Sequence, residues 1–263
     1  MMAAARLPCA VEFDALLAEL AVLKYGDPPG RTARLHRRMG YTSPNLFYEA
    51  MVAALVGPDS DWLDVGGGPS PFPHNPRAAR LLADRCRRLV AVDPGENLPR
   101  NSFAYEAVAS TIEAYRTARQ FDLVTLRMVA EHLADPAAAL AAIARLLRPG
   151  GRAVIYTVDR RSPSCLVNRM LVPPLRRAVM RGFGGAAGDV FPTFYRLNRR
   201  ATLRAQAAAN GLDEVCFRRI DDCRASQPWP LVHGVELRWR RIWRRIGLAY
   251  PESCLLAVFE RRA

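Results

Sequence analysis

Lysine is almost missing from this chain: of its 38 basic residues only Lys24 is not arginine. Such one-sided usage reads as coding bias in a GC-rich genome, so it carries no special arginine chemistry. None of the six cysteines (Cys9, Cys86, Cys165, Cys216, Cys223, Cys254) stands in a C-x-x-C pair, so no zinc cluster or dithiol redox motif is visible. No apolar run approaches the roughly 20 residues a membrane span needs. The N-terminal MMAAARLPCAVEFD meets Glu12 and Asp14 too early for a secretory h-region, so a cytoplasmic protein is expected. Acids are scarce in one part only. Residues 1–150 carry 17 basic and 16 acidic side chains, residues 151–263 carry 21 and 9. Codon usage explains arginine over lysine but not missing acids. The asymmetry points to an anionic partner (an acidic substrate, a membrane surface or nucleic acid) or to a merely solvated basic face.

What is present suits one large α/β domain with a small appended cap: 263 residues, half of them hydrophobic. Helical spacing covers Val11–Lys24, broken by Gly26-Asp-Pro-Pro-Gly30, and a second helix starts at Ser43-Pro44 and runs to about Val56. Strands then alternate with helices: strand Trp62–Val65, helix Arg77–Arg88, strands Leu89–Asp93, Phe103–Val108 and Phe121–Leu126, helix Pro136–Leu147, strand Arg152–Thr157. The chain ends with helix Arg200–Asn210 and strands Asp213–Ile220 and Ser253–Glu260. This alternation predicts a parallel, doubly wound sheet.

Ligands of such sheets sit beyond the carboxyl ends of the strands, where strand order reverses. The first strand runs into WLDVGGGPSPF, residues 62–72. Its glycines let a ligand approach bare backbone. Pro71 stands where the third glycine of G-x-G-x-x-G would be, which disfavours NAD or FAD, and a P-loop lysine is absent. Asp93, at the end of the second strand, can accept both ribose hydroxyls of a nucleoside, or can simply form the turn before Pro94-Gly95. Taken with FDLVTL, the following Glu131-His132-Leu133 and the LRPGG stop, these features resemble class I S-adenosylmethionine-dependent methyltransferases of the bacterial small-molecule type, over about residues 45–160. SCLLAVFER fits that family's antiparallel finish.

The resemblance implies a Rossmann-like, mostly parallel seven-stranded sheet with an antiparallel last strand, N-terminal helices and a helical cap between strands five and six. Its units would be a helical segment 1–57, a cofactor-binding core 58–160, a substrate-facing cap 161–200 and a C-terminal completion of the sheet, 201–263. Asp64, Gly66, Gly67 and Gly68 would cradle the amino-acid end of S-adenosylmethionine, and Asp93 would hold its ribose. Ser110, Thr111 and Ile112 would pack the adenine, and Arg127 and Met128 would line the methionine. Ser70 replaces a glycine common in the family. Among four histidines, His132 lies just past the fourth strand and is the candidate base, with a packing or capping role as the alternative. Ubiquinone-type O-methyltransferases hold a divalent metal with E-x-x-E-H. Here Met128 replaces the first carboxylate with a thioether, a poor ligand for hard cations, so no metal is expected.

The substrate-facing part falls at about residues 158–200, where arginines and apolar residues interleave; a lid and a membrane-touching cap both suit it. Within FPTFYRLN, Tyr195, Arg196 and Asn198 are candidate substrate contacts, with core packing for Tyr195 and a helix N-cap for Asn198 as alternatives. Tyr41 could lie over the cofactor or pack at the start of the next helix. Neither the N/D-P-P-Y/F signature of nucleic-acid amino methylation nor a site cysteine for pyrimidine C5 attack is present. The expected activity is methyl transfer to an O or N atom, less readily C, of a small molecule of secondary or specialised metabolism. The alternatives are a lipid- or quinone-type enzyme at a membrane surface and a non-catalytic cofactor-binding partner protein.

Overall fold

The structure, a computed structural model, describes residues 7–162, 165–166, 191–248 and 250–263. Three helices lead: α1 (Ala10–Tyr25), α2 (Arg31–Met39) and α3 (Pro44–Leu55). Ser43 Oγ accepts the Leu46 N–H at 3.4 Å, and Pro44, which lacks an N–H, fills the first helical position. Then come β1 (Asp61–Val65), α4 (Pro76–Arg85), β2 (Arg88–Val92), β3 (Glu106–Val108), β4 (Phe121–Arg127), α5 (Pro136–Leu146) and β5 (Leu147–Val158). The described C-terminal elements are α6 (Arg200–Ala209), β6 (Leu212–Asp221), α7 (Pro230–Arg245) and β7 (Glu252–Arg261).

The seven strands form one sheet in the order β3-β2-β1-β4-β5-β7-β6. Strands β1 to β5 pair in parallel, while β7 is antiparallel to both β5 and β6. The expected doubly wound sheet with an antiparallel last strand is therefore present. Its order reverses between β1 and β4. Every residue of β1 is buried, as a strand covered on both faces requires. Alternation along it sends Leu63 and Val65 to a core with Leu140 and Ile143 of α5 and Leu203 of α6. Trp62 goes to a second core with Leu20 of α1, Val52 of α3 and Leu82 of α4.

Two strands differ from expectation for local reasons. Strand β3 starts at Glu106 rather than Phe103, because Asn101 Oδ1 accepts the Phe103 and Ala104 N–H groups, each at 3.1 Å, and holds them off the ladder. Strand β5 starts at Leu147, inside the expected LRPGG stop, because a register shift between Phe121 and Leu123 lets Gly150, at φ +76°, bulge out while pairing continues. Helices α2 and α7 lie outside the sequence assignment. Most of the expected cap, residues 163–164 and 167–190, lies outside the described residues.

The lone lysine has a structural place. Its Nζ donates to Glu49 Oε1 at 2.8 Å, and Asn75 Nδ2 donates to Glu49 Oε2 at 2.9 Å while its carbonyl oxygen caps α4. This polar knot joins α1, α3 and the start of α4, with Glu49 only 2% exposed. Lys24→Met strands a buried carboxylate, which should lower the unfolding free energy by about 3 kcal/mol. The double change Lys24→Met with Glu49→Leu should recover most of that loss in urea denaturation. A single variant as stable as the parent would show that the pair does not hold the helices.

Candidate active site

The turn after β1 lies at the reversal of strand order. Trp62 Nε1 donates to Thr125 Oγ1 at 2.7 Å, and that hydroxyl donates to Asp64 Oδ1 at 2.7 Å. These bonds cross the β1–β4 pair, where Asp64 lies opposite Thr125. Gly66 sits at φ +69°, and a Cβ on it would fall 2.2 Å from Val129 Cγ2; a Cβ on Gly67 would meet Ala91 Cβ at 3.0 Å and Asp64 Oδ2 at 3.1 Å. Neither position accepts a side chain without displacing a neighbour. The turn is braced from behind by Asn101, whose Nδ2 donates to the Gly68 carbonyl at 3.0 Å.

Asp93 follows β2 and faces the same turn. Its Oδ2 accepts the Gly68 N–H at 3.0 Å and its Oδ1 the Gly95 N–H at 2.6 Å. Each carboxylate oxygen keeps a lone pair for a further donor. Beside it opens a cleft of about 440 Å³. Gly66, Asp93, Ser110, Thr111, Ile112, Arg127, Met128 and His132 all line it, so eight of the sequence-nominated residues meet in one cavity. Val65, Val92, Pro94, Leu133, Phe191 and Pro192 add an apolar wall. Asp64 lies beneath the turn rather than in the cleft, at 2% exposure. Burial pushes its carboxyl up to about 7, and the Thr125 hydrogen bond and the Arg127 charge only partly oppose this.

His132 closes one side. Its Nδ1 lies 2.9 Å from the Pro192 carbonyl oxygen, an acceptor only, so the neutral ring carries its proton on Nδ1 and its lone pair on Nε2. Its ring meets Phe191 edge to face, with centroids 6.1 Å apart. Phe191 in turn reaches over the opposite rim, where its Cζ would be 3.6 Å from a Cβ on Gly95. The neighbouring Glu131 anchors this arch. Its carbonyl accepts the Phe194 N–H at 2.8 Å, and its buried carboxyl accepts the Thr157 hydroxyl at 2.7 Å. Burial raises the Glu131 carboxyl above its ordinary range.

The four residues nominated for substrate contact, Tyr41, Tyr195, Arg196 and Asn198, stand apart from the cleft lining. Tyr41 points the other way: its hydroxyl accepts the Cys223 N–H at 3.0 Å in a small cluster between α2 and α7. Asn198 is fully buried. Its amide donates to Thr157 Oγ1 and the Val158 carbonyl, both at 2.8 Å, and the N-cap of α6 is Arg199, with no side-chain cap bond. Arg196 donates to the Ala134 carbonyl and lies over the Phe194 ring. Tyr195 holds φ +52° at the bend of this loop. The residues that sequence reasoning passed over are Asn101, Thr125 and Thr157. Only Thr125 had a signal, a hydroxyl inside the otherwise apolar LVTL of a buried strand.

The Asp64 carboxyl links stability to pH. Its usual value is 3.8, whereas in the folded chain it titrates at about 7, so between these values the folded state holds a proton that the unfolded state has lost. Stability therefore falls as pH rises through that window. Asp64→Asn keeps an acceptor for Thr125 and removes the titration. The melting temperature of this variant, ligand-free, should gain steadily on the parent from about pH 4 to about pH 7. A constant difference across that range would show that Asp64 stays ionised.

The model of the methyltransferase-domain family matches residues 32–216. Ubiquinone biosynthesis O-methyltransferase of Aeromonas salmonicida is 36% identical over 95 residues, 36% of this chain and 38% of that protein. The enzyme of that name from Thiobacillus denitrificans is 32% identical over 106 residues, covering 40% and 46%. The chain thus spans less than half the length of these curated relatives. Among solved structures, the complex between the Haloferax volcanii Trm112 methyltransferase activator and its methyltransferase holds a chain matching at TM-score 0.51 and 19% identity, over 96% of this chain and 98% of that one. The YcgJ protein of Bacillus subtilis matches at TM-score 0.50 and 15% identity, over 87% and 99%. At these identities the structural likeness shows the fold. The family match runs from α2 through the glycine turn, the cleft and β5 into β6, and on that span the chain belongs to the methyltransferase-domain family.

Proposed function

We propose that the chain transfers a methyl group from S-adenosylmethionine to an oxygen or nitrogen atom of a small molecule. The observation that carries this reading is the cleft at the strand-order reversal, where a side-chain-free turn, a carboxylate with spare lone pairs and an apolar wall converge. Those groups fit the cofactor. The turn over Asp64 would receive its amino-acid end, Asp93 would accept its ribose hydroxyls, and Ile112, Val92, Ser110 and Thr111, which line the cleft, would hold its adenine. When bound, S-adenosylmethionine supplies a sulfonium-activated methyl group. Arg127 and Met128 line the path from that end of the cleft, and the Phe191–Pro192 arch keeps water out. His132 Nε2 takes the proton that the acceptor hydroxyl or ammonium must lose. Tyr195 and Arg196 shape the arch beside the acceptor, and Asn198 acts through Thr157 by fixing where the arch begins. The names of the curated relatives, O-methyltransferases of ubiquinone biosynthesis, favour oxygen as the acceptor atom.

Methyl-labelled cofactor incubated with a cell extract should deliver label to a small molecule, water-soluble or lipid-extractable. Label confined to nucleic acid or protein would overturn this substrate class, and tight S-adenosylhomocysteine binding with no transfer to any fraction would point to a non-catalytic partner. Asp93→Ala should weaken S-adenosylhomocysteine binding in calorimetry by at least about tenfold, since two hydrogen bonds to a charged group are lost. His132→Ala should cut kcat by about 10²-fold or more, with cofactor affinity unchanged. A parental rate across pH would remove His132 from the chemistry.

A further inference from the structure

Helix α7 has three faces rather than two. His233, Leu237 and Arg240 point inward and are buried. They dock the helix on α2: His233 Nε2 lies 2.8 Å from His36 Nε2, Arg240 pairs with Asp221, and the same guanidinium donates to the Gly40 carbonyl at 3.1 Å. The opposite face is apolar and open. Leu231, Val235, Trp239, Ile242 and Ile246 follow one another at spacings of three and four, on one side of the helix, and each is exposed, Leu231 at 87%. A contiguous stripe of this kind on a surface helix marks an interaction face.

The flank beside the stripe is basic. Arg238 and Arg245 are exposed there, and Arg241 donates to the Arg38 carbonyl, so the flank runs on to α2, whose exposed side chains include Arg31, Arg34, Arg37 and Arg38. The one acid of α7, Glu236, is engaged by Tyr250 Oη at 2.8 Å and by Ser226. Aliphatic and indole side chains on one face with arginines along its edge are the pattern of a helix that lies in the interface of an anionic bilayer. Charge argues against a second copy as occupant: an antiparallel pairing across the stripe sets the arginine flank against itself, with no exposed acid on the helix to receive it.

Strand pairing fixes the direction of approach. Asp221 of β6 lies opposite Glu252 of β7, at the end of the sheet where Val158 of β5 pairs with Cys254, so the segment carrying α7 emerges at the carboxyl edge, the edge that also bears the cleft. We propose that α7 docks the protein on an anionic lipid surface, its apolar stripe among the acyl chains and its arginine flank at the phosphates. This holds independently of the reaction assigned to the cleft.

The test is co-sedimentation of the full chain with vesicles of phosphatidylcholine, alone or mixed with phosphatidylglycerol. The chain should pellet with the anionic vesicles and not with phosphatidylcholine alone, and high salt should weaken the binding. Arg238→Gln with Arg245→Gln should reduce anionic-vesicle affinity by about tenfold or more. Trp239→Ser with Ile242→Ser should abolish pelleting while leaving the melting temperature and S-adenosylhomocysteine binding unchanged, since both side chains point outward. No pelleting with phosphatidylglycerol at low salt would overturn the proposal, as would binding that survives the Trp239 and Ile242 changes. A dimer in light scattering that those changes convert to monomer, without vesicle binding by the parent, would reassign the stripe to self-association.

Discussion

One hydroxyl, Thr125 Oγ1, holds the centre of this molecule. It accepts from Trp62 and donates to Asp64, and it does so between the two strands where the sheet changes direction. A buried indole N–H and a buried carboxyl would each be destabilising alone; sharing one hydroxyl satisfies both and locks the register of β1 against β4. With that register set, Asp64 Oδ2 falls under Gly67 and the three-glycine turn has a floor. The same low-polarity setting raises the Asp64 carboxyl, so the group under the turn holds or releases its proton near neutral pH.

A second hydroxyl does comparable work at the rim. Thr157, at the end of β5, accepts from Asn198 and donates to Glu131. It thereby ties three segments far apart in the chain: the EHL turn, the last parallel strand and the loop that starts at Phe191. The loop's backbone then hangs from the Glu131 carbonyl, and its Pro192 carbonyl sets the tautomer of His132. An imidazole with a defined tautomer, in a cleft with an apolar wall, thus follows from hydrogen bonds made one residue away, by Glu131.

Much of this was legible in sequence, and what was legible shares a property. Gly66, Gly68 and Asp93 reveal themselves because a bare turn and a strand-end carboxylate are local features, readable without knowing the partner. Asn101, Thr125 and Thr157 do not, because each acts through a partner 26 to 61 residues away. Tyr41 misleads for the same reason: it stands next to α3 in sequence, while its hydroxyl is claimed by the backbone of Cys223, 182 residues on. Asn198, before a helix, invites a capping role, yet burial commits its amide to Thr157. Helix α7 escapes the sequence reading because its packed face holds His233 and Arg240 with a single apolar residue, Leu237, while its apolar stripe faces outward. Helix α2 escapes because arginines fill its exposed side and only Ala33, His36 and Met39 are buried.

The uneven charge follows from the same division of the chain. Residues 1–150, which build most of the cleft, are almost neutral, and their acids serve inside the fold: Asp64 under the turn, Asp93 at its lip, Glu49 in the helical knot, Glu131 beneath the arch. Residues 151–263 hold nine acids against 21 basic side chains, and among the described residues six of those acids already meet arginines within the C-terminal part: Glu214 with Arg200, Asp213 with Arg262, Asp222 with Arg224, Glu260 with Arg152, Asp159 with Arg219, and Asp221 with Arg240 and Arg244. Internal pairing cannot absorb the surplus, so arginine must face outward, and on α7 it does so beside open aliphatic and indole side chains. Water alone selects for charge and against that stripe; a purely hydrophobic partner selects for the stripe and against charge. Only a surface that is apolar within and anionic at its edge rewards both on one helix.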